Sequence, residues 1–176
     1  KLTQAQLDAL PVPARNIEDI YPLSPMQQGM LFHTLYEKVA GDYINQLRVD
    51  VGGLDAERFQ AAWQATVAAH DILRTAFAWQ GFVEVPFAVH DWRGQPRQAQ
   101  ELGILAKAER DQGFELSQAP LLRLVLVRTD ERRHHLIYTS HHILMDGWSN
   151  AQLLGEVLQR YAGRAPQMPV GRYRDY

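Results

Sequence analysis

Residues 121–149 read LLRLVLVRTDERRHHLIYTSHHILMDGWS. Leu121 to Val127 is almost continuously apolar, which predicts a strand buried on both faces. Asp130-Glu131-Arg132 is a polar turn, and His134 to Ser140 is the returning strand of the pair. Ser149, with Gln152 three residues on, predicts the start of a helix whose apolar face is Leu154, Val157, Leu158 and Tyr161. The cluster His141-His142-Ile143-Leu144-Met145-Asp146-Gly147 thus falls between a strand end and a helix start. Loops held by rigid elements are where working residues concentrate.

Outward from this hairpin, elements of both kinds alternate. Leu2 to Leu10 reads as a short helix, and Pro11, Pro13 and Asn16 as a linker. Ser24-Pro25-Met26-Gln27 is a helix start, with Ser24 as cap, Pro25 at the first helical position and Gln27 completing a capping box. Met26, Met30, Leu31, Leu35 and Val39 follow at helical spacing, and Gly41 ends the run. Tyr43 to Val51 alternates as a strand before the turn at Gly52-Gly53. Asp55 caps a helix with Phe59, Trp63, Val67 and His70 on one face. Leu73 to Trp79 and Phe82 to Val89 are rich in strand formers, and Arg97 to Gln112 predicts a weaker helix interrupted by Gly103. The expected fold is α/β: a two-layer sandwich with a mixed sheet.

Composition narrows the function. With 46% hydrophobic and 22% charged residues, the chain is in the globular range. A net charge of −2 provides no basic field for nucleic acid or an anionic membrane. The absence of cysteine excludes disulfides, thiolate catalysis and cysteine metal sites, and fits a cytoplasmic location. No apolar run is long enough to span a bilayer, and KLTQAQLDALP lacks the pattern of a signal peptide. The chain opens without Met and stops at Tyr176, so it is expected to be part of something longer.

Three chemistries fit two His and one Asp. Successive strand side chains face opposite ways, so His141 and His142 should diverge, one toward the core and one toward an open site. That argues against a metal held by both. A Ser-His-Asp triad lacks a Gly-x-Ser-x-Gly elbow, and neither Ser140 nor Ser149 has a special context. A lone His as general base remains, its reference pKa near ~6.5 leaving a large neutral fraction at pH 7. The bland alternative is that both His are satisfied core residues. His134-His135 is a second pair, but Arg132-Arg133 precedes it and no Asp-Gly follows, so it reads as strand surface.

His141 to Gly147 resembles the His-His-x-x-x-Asp-Gly motif of condensation domains from non-ribosomal peptide synthetases. Four further segments resemble the same family: Tyr21 to His33, His70 to Phe77, Phe114-Glu115-Leu116 with Pro120 to Arg123, and Tyr173 to Tyr176. Such domains look like two chloramphenicol-acetyltransferase-type lobes. The resemblance implies that residues 21–176 form the amino-terminal lobe, with the carboxy-terminal lobe absent, and that residues 1–20 are an interdomain linker with a short helix. It implies peptide-bond formation between peptidyl and aminoacyl thioesters. Both substrates ride on the phosphopantetheine of donor and acceptor carrier proteins, with no cofactor or metal bound by the domain itself. An adenylation domain is the expected neighbour.

By the same resemblance His142 contacts the acceptor amine and is the catalytic residue, while His141 supports the fold. Asp146 turns away and pairs with an arginine, for which Arg74 is the choice. Gly147 leaves room for the acceptor thioester. Ser24, Met145, Trp148 and Ser149 are candidates for the tunnel wall, as is Tyr138, although apolar residues beside a strand end usually belong to the core. One departure stands out. The family's second motif usually has Arg just before His70, where this chain has Ala69, and if that arginine is the partner of the aspartate the choice of Arg74 fails. The segment Ser24 to His33 looks more like the subtype whose donor ends in a D-residue. Alternatives are an epimerization domain of the same superfamily, a small coenzyme A-dependent acetyltransferase, and a non-catalytic carrier-docking lobe. With one lobe only, the fragment is expected to be inactive.

Overall fold

In the computed structural model, residues 3–9, 17, 20–37, 43–75 and 83–166 are described. In chain order they form helix α1 (Gln4–Asp8), α2 (Pro25–Glu37), strand β1 (Ile44–Gly52), α3 (Ala56–Ala69), a single 3-10 turn (Asp71–Arg74), β2 (Phe87–Asp91), α4 (Gln98–Asp111), β3 (Leu122–Asp130), β4 (Arg133–His141) and α5 (Gly147–Tyr161). The strands make one mixed sheet in the order β1-β4-β3-β2. β4 is antiparallel to both neighbours, and β2 runs parallel to β3.

The apolar run at 121–127 explains why β3 is central. Strand side chains alternate between the faces. Leu122, Leu124 and Leu126, with Leu136 and Tyr138 of β4, pack into the main core with α3 and α5. Val125, Val127 and Ile137 face the other way, onto Leu102 and Ala106 of α4. Both sets are buried, as the continuous apolar composition requires.

Helix ends follow local chemistry. Asp55 caps α3 by accepting from the Arg58 backbone N–H at 3.0 Å. Ser24 and Gln27 form the expected capping box at α2: Gln27 N–H donates to Ser24 Oγ at 3.3 Å, and Ser24 N–H to Gln27 Oε1 at 3.0 Å. Helices α3 and α5 are joined by the His70–Glu156 contact of 2.7 Å, and Tyr161 OH accepts from the Asp55 backbone N–H at 2.9 Å.

Several expectations change. α5 starts earlier than Ser149, because Asp146 takes the capping position and accepts from Ser149 N–H at 2.7 Å. α4 runs unbroken through Gly103, since one glycine costs a helix only ~1 kcal/mol. The expected strand from Leu73 begins instead inside a 3-10 turn, and its remainder at 76–79 lies outside the described residues. The strand expected over Phe82 to Val89 starts at Phe87, while Val83 and Val85 are core residues without strand pairing. His134 and His135 are buried, not surface. Helices lie on both faces of the sheet at β4, so both side chains are covered. His135 Nδ1 lies 2.6 Å from Asp50 Oδ1. The linker at 10–16, Gly41 and the segment Tyr173 to Tyr176 lie outside the described residues.

Candidate active site

The sheet ends at His141, paired with Ile44 of β1. One residue further, the backbone N–H of His142 donates to Tyr43 O at 2.7 Å. The two histidines then diverge as strand alternation demands. His141 is 3% exposed, whereas His142 is half-buried. The His141 ring sits between Tyr43 and Phe114, with centroids 6.3 Å and 6.5 Å away. Its Nδ1 accepts the backbone N–H of Ile143 at 3.1 Å, which closes the turn. Burial, reinforced by the neighbouring His142, pushes the His141 pKa down to about 4. His141 is therefore a neutral structural residue at pH 7. The His142 ring meets Asn45 of β1, whose Nδ2 lies 3.0 Å from Nδ1.

The rest of the loop is anchored from two sides. Gln27 Nε2 donates to Ile143 O at 3.1 Å, tying the first turn of α2 to the histidine loop. Tyr138 OH donates to Asn150 Oδ1 at 3.0 Å, tying β4 to α5. Tyr138 is 1% exposed and lies against Trp63, with ring centroids 5.0 Å apart, so it is core and not tunnel wall. Burial holds its hydroxyl protonated, with a pKa of about 12.

The arginine partnership expected for Asp146 is not formed among the described residues. Asp146 is exposed and spends its carboxylate on the N-terminus of α5, where the hydrogen bonds from Ser149 hold its pKa below the usual value. Arg74 instead places Nη2 2.5 Å from Asp71 Oδ1, three residues earlier in its own 3-10 turn. A carboxylate one turn away is a nearer partner than one across the loop, and Ala69 leaves no second arginine there. Gly147 opens α5 with an ordinary helical backbone, and a Cβ built on it meets nothing within 4 Å. Its value is thus open space, not conformational freedom.

The other candidates divide. Ser24 is half-buried and is used up in the α2 capping box, with Gln27 carrying the link onward to the loop. Met145 packs partly against the main core. Trp148 is 76% exposed on the first turn of α5, and Ser149 beside it is exposed too. No group of three or more His, Asp or Glu side chains among the described residues is arranged to hold a metal ion. Asn45 was not a candidate from sequence, and Gln27 was one only as a helix cap. Both act across the fold, on residues far away in the chain.

The mixed sheet thus ends in a paired-histidine loop at the N-terminus of a helix. The condensation-domain profile matches residues 17–176, and the chain belongs to that family. It is 38% identical to one of the linear gramicidin synthase polypeptides of Brevibacillus parabrevis over 98% of this chain. It is 37% identical to bacitracin synthase 3 of Bacillus licheniformis over 82% of this chain. The chain spans only 4% and 2% of those two proteins. Among solved structures, the EpoB cyclization-docking bidomain of a non-ribosomal peptide synthetase from Sorangium cellulosum superposes with a TM-score of 0.74 at 25% identity. That match covers 94% of this chain and 37% of the other. The first condensation domain of the CDA synthetase superposes at 0.76 with 18% identity, which supports the fold alone, and covers 87% of this chain and 42% of the other.

Proposed function

We propose that this chain is the amino-terminal lobe of a condensation domain that joins a peptidyl donor to an aminoacyl acceptor, with residues 1–20 as the linker before it. Both substrates are thioesters on the phosphopantetheine of carrier proteins. A carboxy-terminal lobe completes the site, an adenylation domain neighbours it, and the assembly works in the cytoplasm. The observation that carries the reading is the division of labour at the loop. His141 is buried and neutral, while His142 is left half-exposed with its ring held at one nitrogen.

In this reading the amine nitrogen attacks the donor carbonyl carbon, the C–N bond forms as the C–S bond breaks, and the amine proton ends on the departing pantetheine sulfur, which leaves as the thiol. Holding the two thioesters in register can supply on the order of 7 kcal/mol. His142 acts at the reacting amine and carbonyl, adding about 10² to 10⁴ in rate. The subtype follows the wording of Ser24 to His33, with a donor ending in a D-residue. The test is transfer by the domain with both lobes, supplied with loaded donor and acceptor carriers and read by the intact mass of the acceptor carrier. Donors ending in D- and L-residues are compared. Extension of the acceptor, faster with the D-donor, supports the reading. Inversion at Cα without extension means epimerization, and carrier binding with neither reaction means a docking lobe.

Gly147→Ala separates space from stability. Alanine is the better helix former by about 1 kcal/mol, and the site is open, so melting is expected to be unchanged or slightly raised. Transfer is expected to fall, chiefly through a higher KM for the acceptor carrier. A variant with wild-type transfer would remove the acceptor arm from this position.

A further inference from the structure

Asn45 lies on β1, opposite Ser140 of β4, and its side chain is exposed. Its Nδ2 is 3.0 Å from Nδ1 of His142. Tyr43, two residues earlier, takes up the backbone N–H of the same histidine at 2.7 Å. One edge of the sheet thus holds His142 twice, by main chain and by ring. With the amide nitrogen turned to the ring, which can only donate, Nδ1 receives that bond. A neutral imidazole that accepts at Nδ1 carries its proton on Nε2. Nε2 makes no hydrogen bond to any described residue.

We propose that Asn45 is a positioning residue that fixes His142 as its Nε2–H tautomer, so that the neutral ring offers the reaction a hydrogen-bond donor and not a base. The proposal rests on His142 being the reacting residue, as proposed above. Its chemistry differs from that of a general base. The one ring nitrogen with a lone pair is occupied by Asn45, so the amine proton passes to the departing pantetheine sulfur and not to the ring. The Nε2–H suits an oxygen that gains charge, such as the carbonyl oxygen of the donor thioester under attack.

The test reads the proton directly. In the two-lobe domain labelled with 15N-histidine, two-bond nitrogen–proton correlation at alkaline pH assigns each neutral ring, with His142 identified by its loss in His142→Gln. The wild type is expected to show Nε2–H alone. Asn45→Ala is expected to show a tautomer mixture with unchanged melting, because the side chain is exposed. Asn45→Asp is expected to draw the proton to Nδ1, since a carboxylate can only accept. Transfer by Asn45→Ala is expected to fall about tenfold in kcat with little change in acceptor KM, the scale of a lost orienting partner. An Nδ1–H ring in the wild type, or the same tautomer in Asn45→Ala as in the wild type, overturns the proposal. The tautomer is read without turnover, so those results leave transfer through His142 standing. Wild-type transfer by His142→Gln would instead remove that reading.

Discussion

Trp63→Ala is expected to destabilise the fold by about 3–5 kcal/mol, the cost of emptying an aromatic core site. Trp63 is 0% exposed and lies at the centre of the α3 side of the core, with Tyr138 at 5.0 Å and Phe59 at 6.4 Å between ring centroids. Natural domains hold about 5–15 kcal/mol in all, so the variant should be near unfolding at 37 °C. Trp63→Phe is expected to cost much less. The buried indole N–H has no partner among the described residues, and an unsatisfied donor costs about 1–3 kcal/mol, which phenylalanine recovers while keeping most of the ring. Urea unfolding of the three proteins measures both. An equal loss for Phe and Ala would mean that the indole N–H is satisfied and that the space left beside Phe stays open.

The second large effect is on pH. His141 has its pKa lowered to about 4 by burial, against about 6.5 in an unfolded chain. Between those values the unfolded state binds the proton and the folded state does not. Stability from this residue is therefore complete above about pH 6.5 and is lost as pH falls toward 4. The shift corresponds to about 3 kcal/mol at full extent. Burial also lowers the pKa of His134, so the wild-type slope carries both residues. His141→Gln isolates one of them. Unfolding free energies at pH 7.5 and 4.5 should differ by less in the variant than in the wild type. Equal slopes would show that His141 is protonated in the fold and does not accept from Ile143.

The fold was legible where apolar pattern and turn chemistry agreed. Leu121 to Val127 and the polar turn after it placed the β3–β4 hairpin, and Ser24 with Gln27 placed α2. Strand alternation required His141 and His142 to diverge, and the family resemblance picked His142 as the open one. What the pattern missed depended on competition between partners. Asp146 and Ser149 are both good helix caps, and the earlier one took α5. Arg74 had a carboxylate three residues away and another across the loop, and the nearer one won. His134 and His135 were flanked by charge, but helices cover both faces of the sheet at β4 and bury them. Asn45 was invisible for a different reason. It reaches His142 across 97 positions of sequence, and only the β1–β4 register brings the two together.

The central claim is that His142 serves the amide-forming step. The direct measurement compares His142→Ala with the wild type in the two-lobe domain, using loaded donor and acceptor carriers and following the peptidyl thioester on the acceptor. Product is expected to fall at least about a hundredfold while melting stays unchanged, the range for one lost hydrogen-bond donor at a carbonyl that gains charge. Product formed at the wild-type rate by a folded His142→Ala would contradict the account.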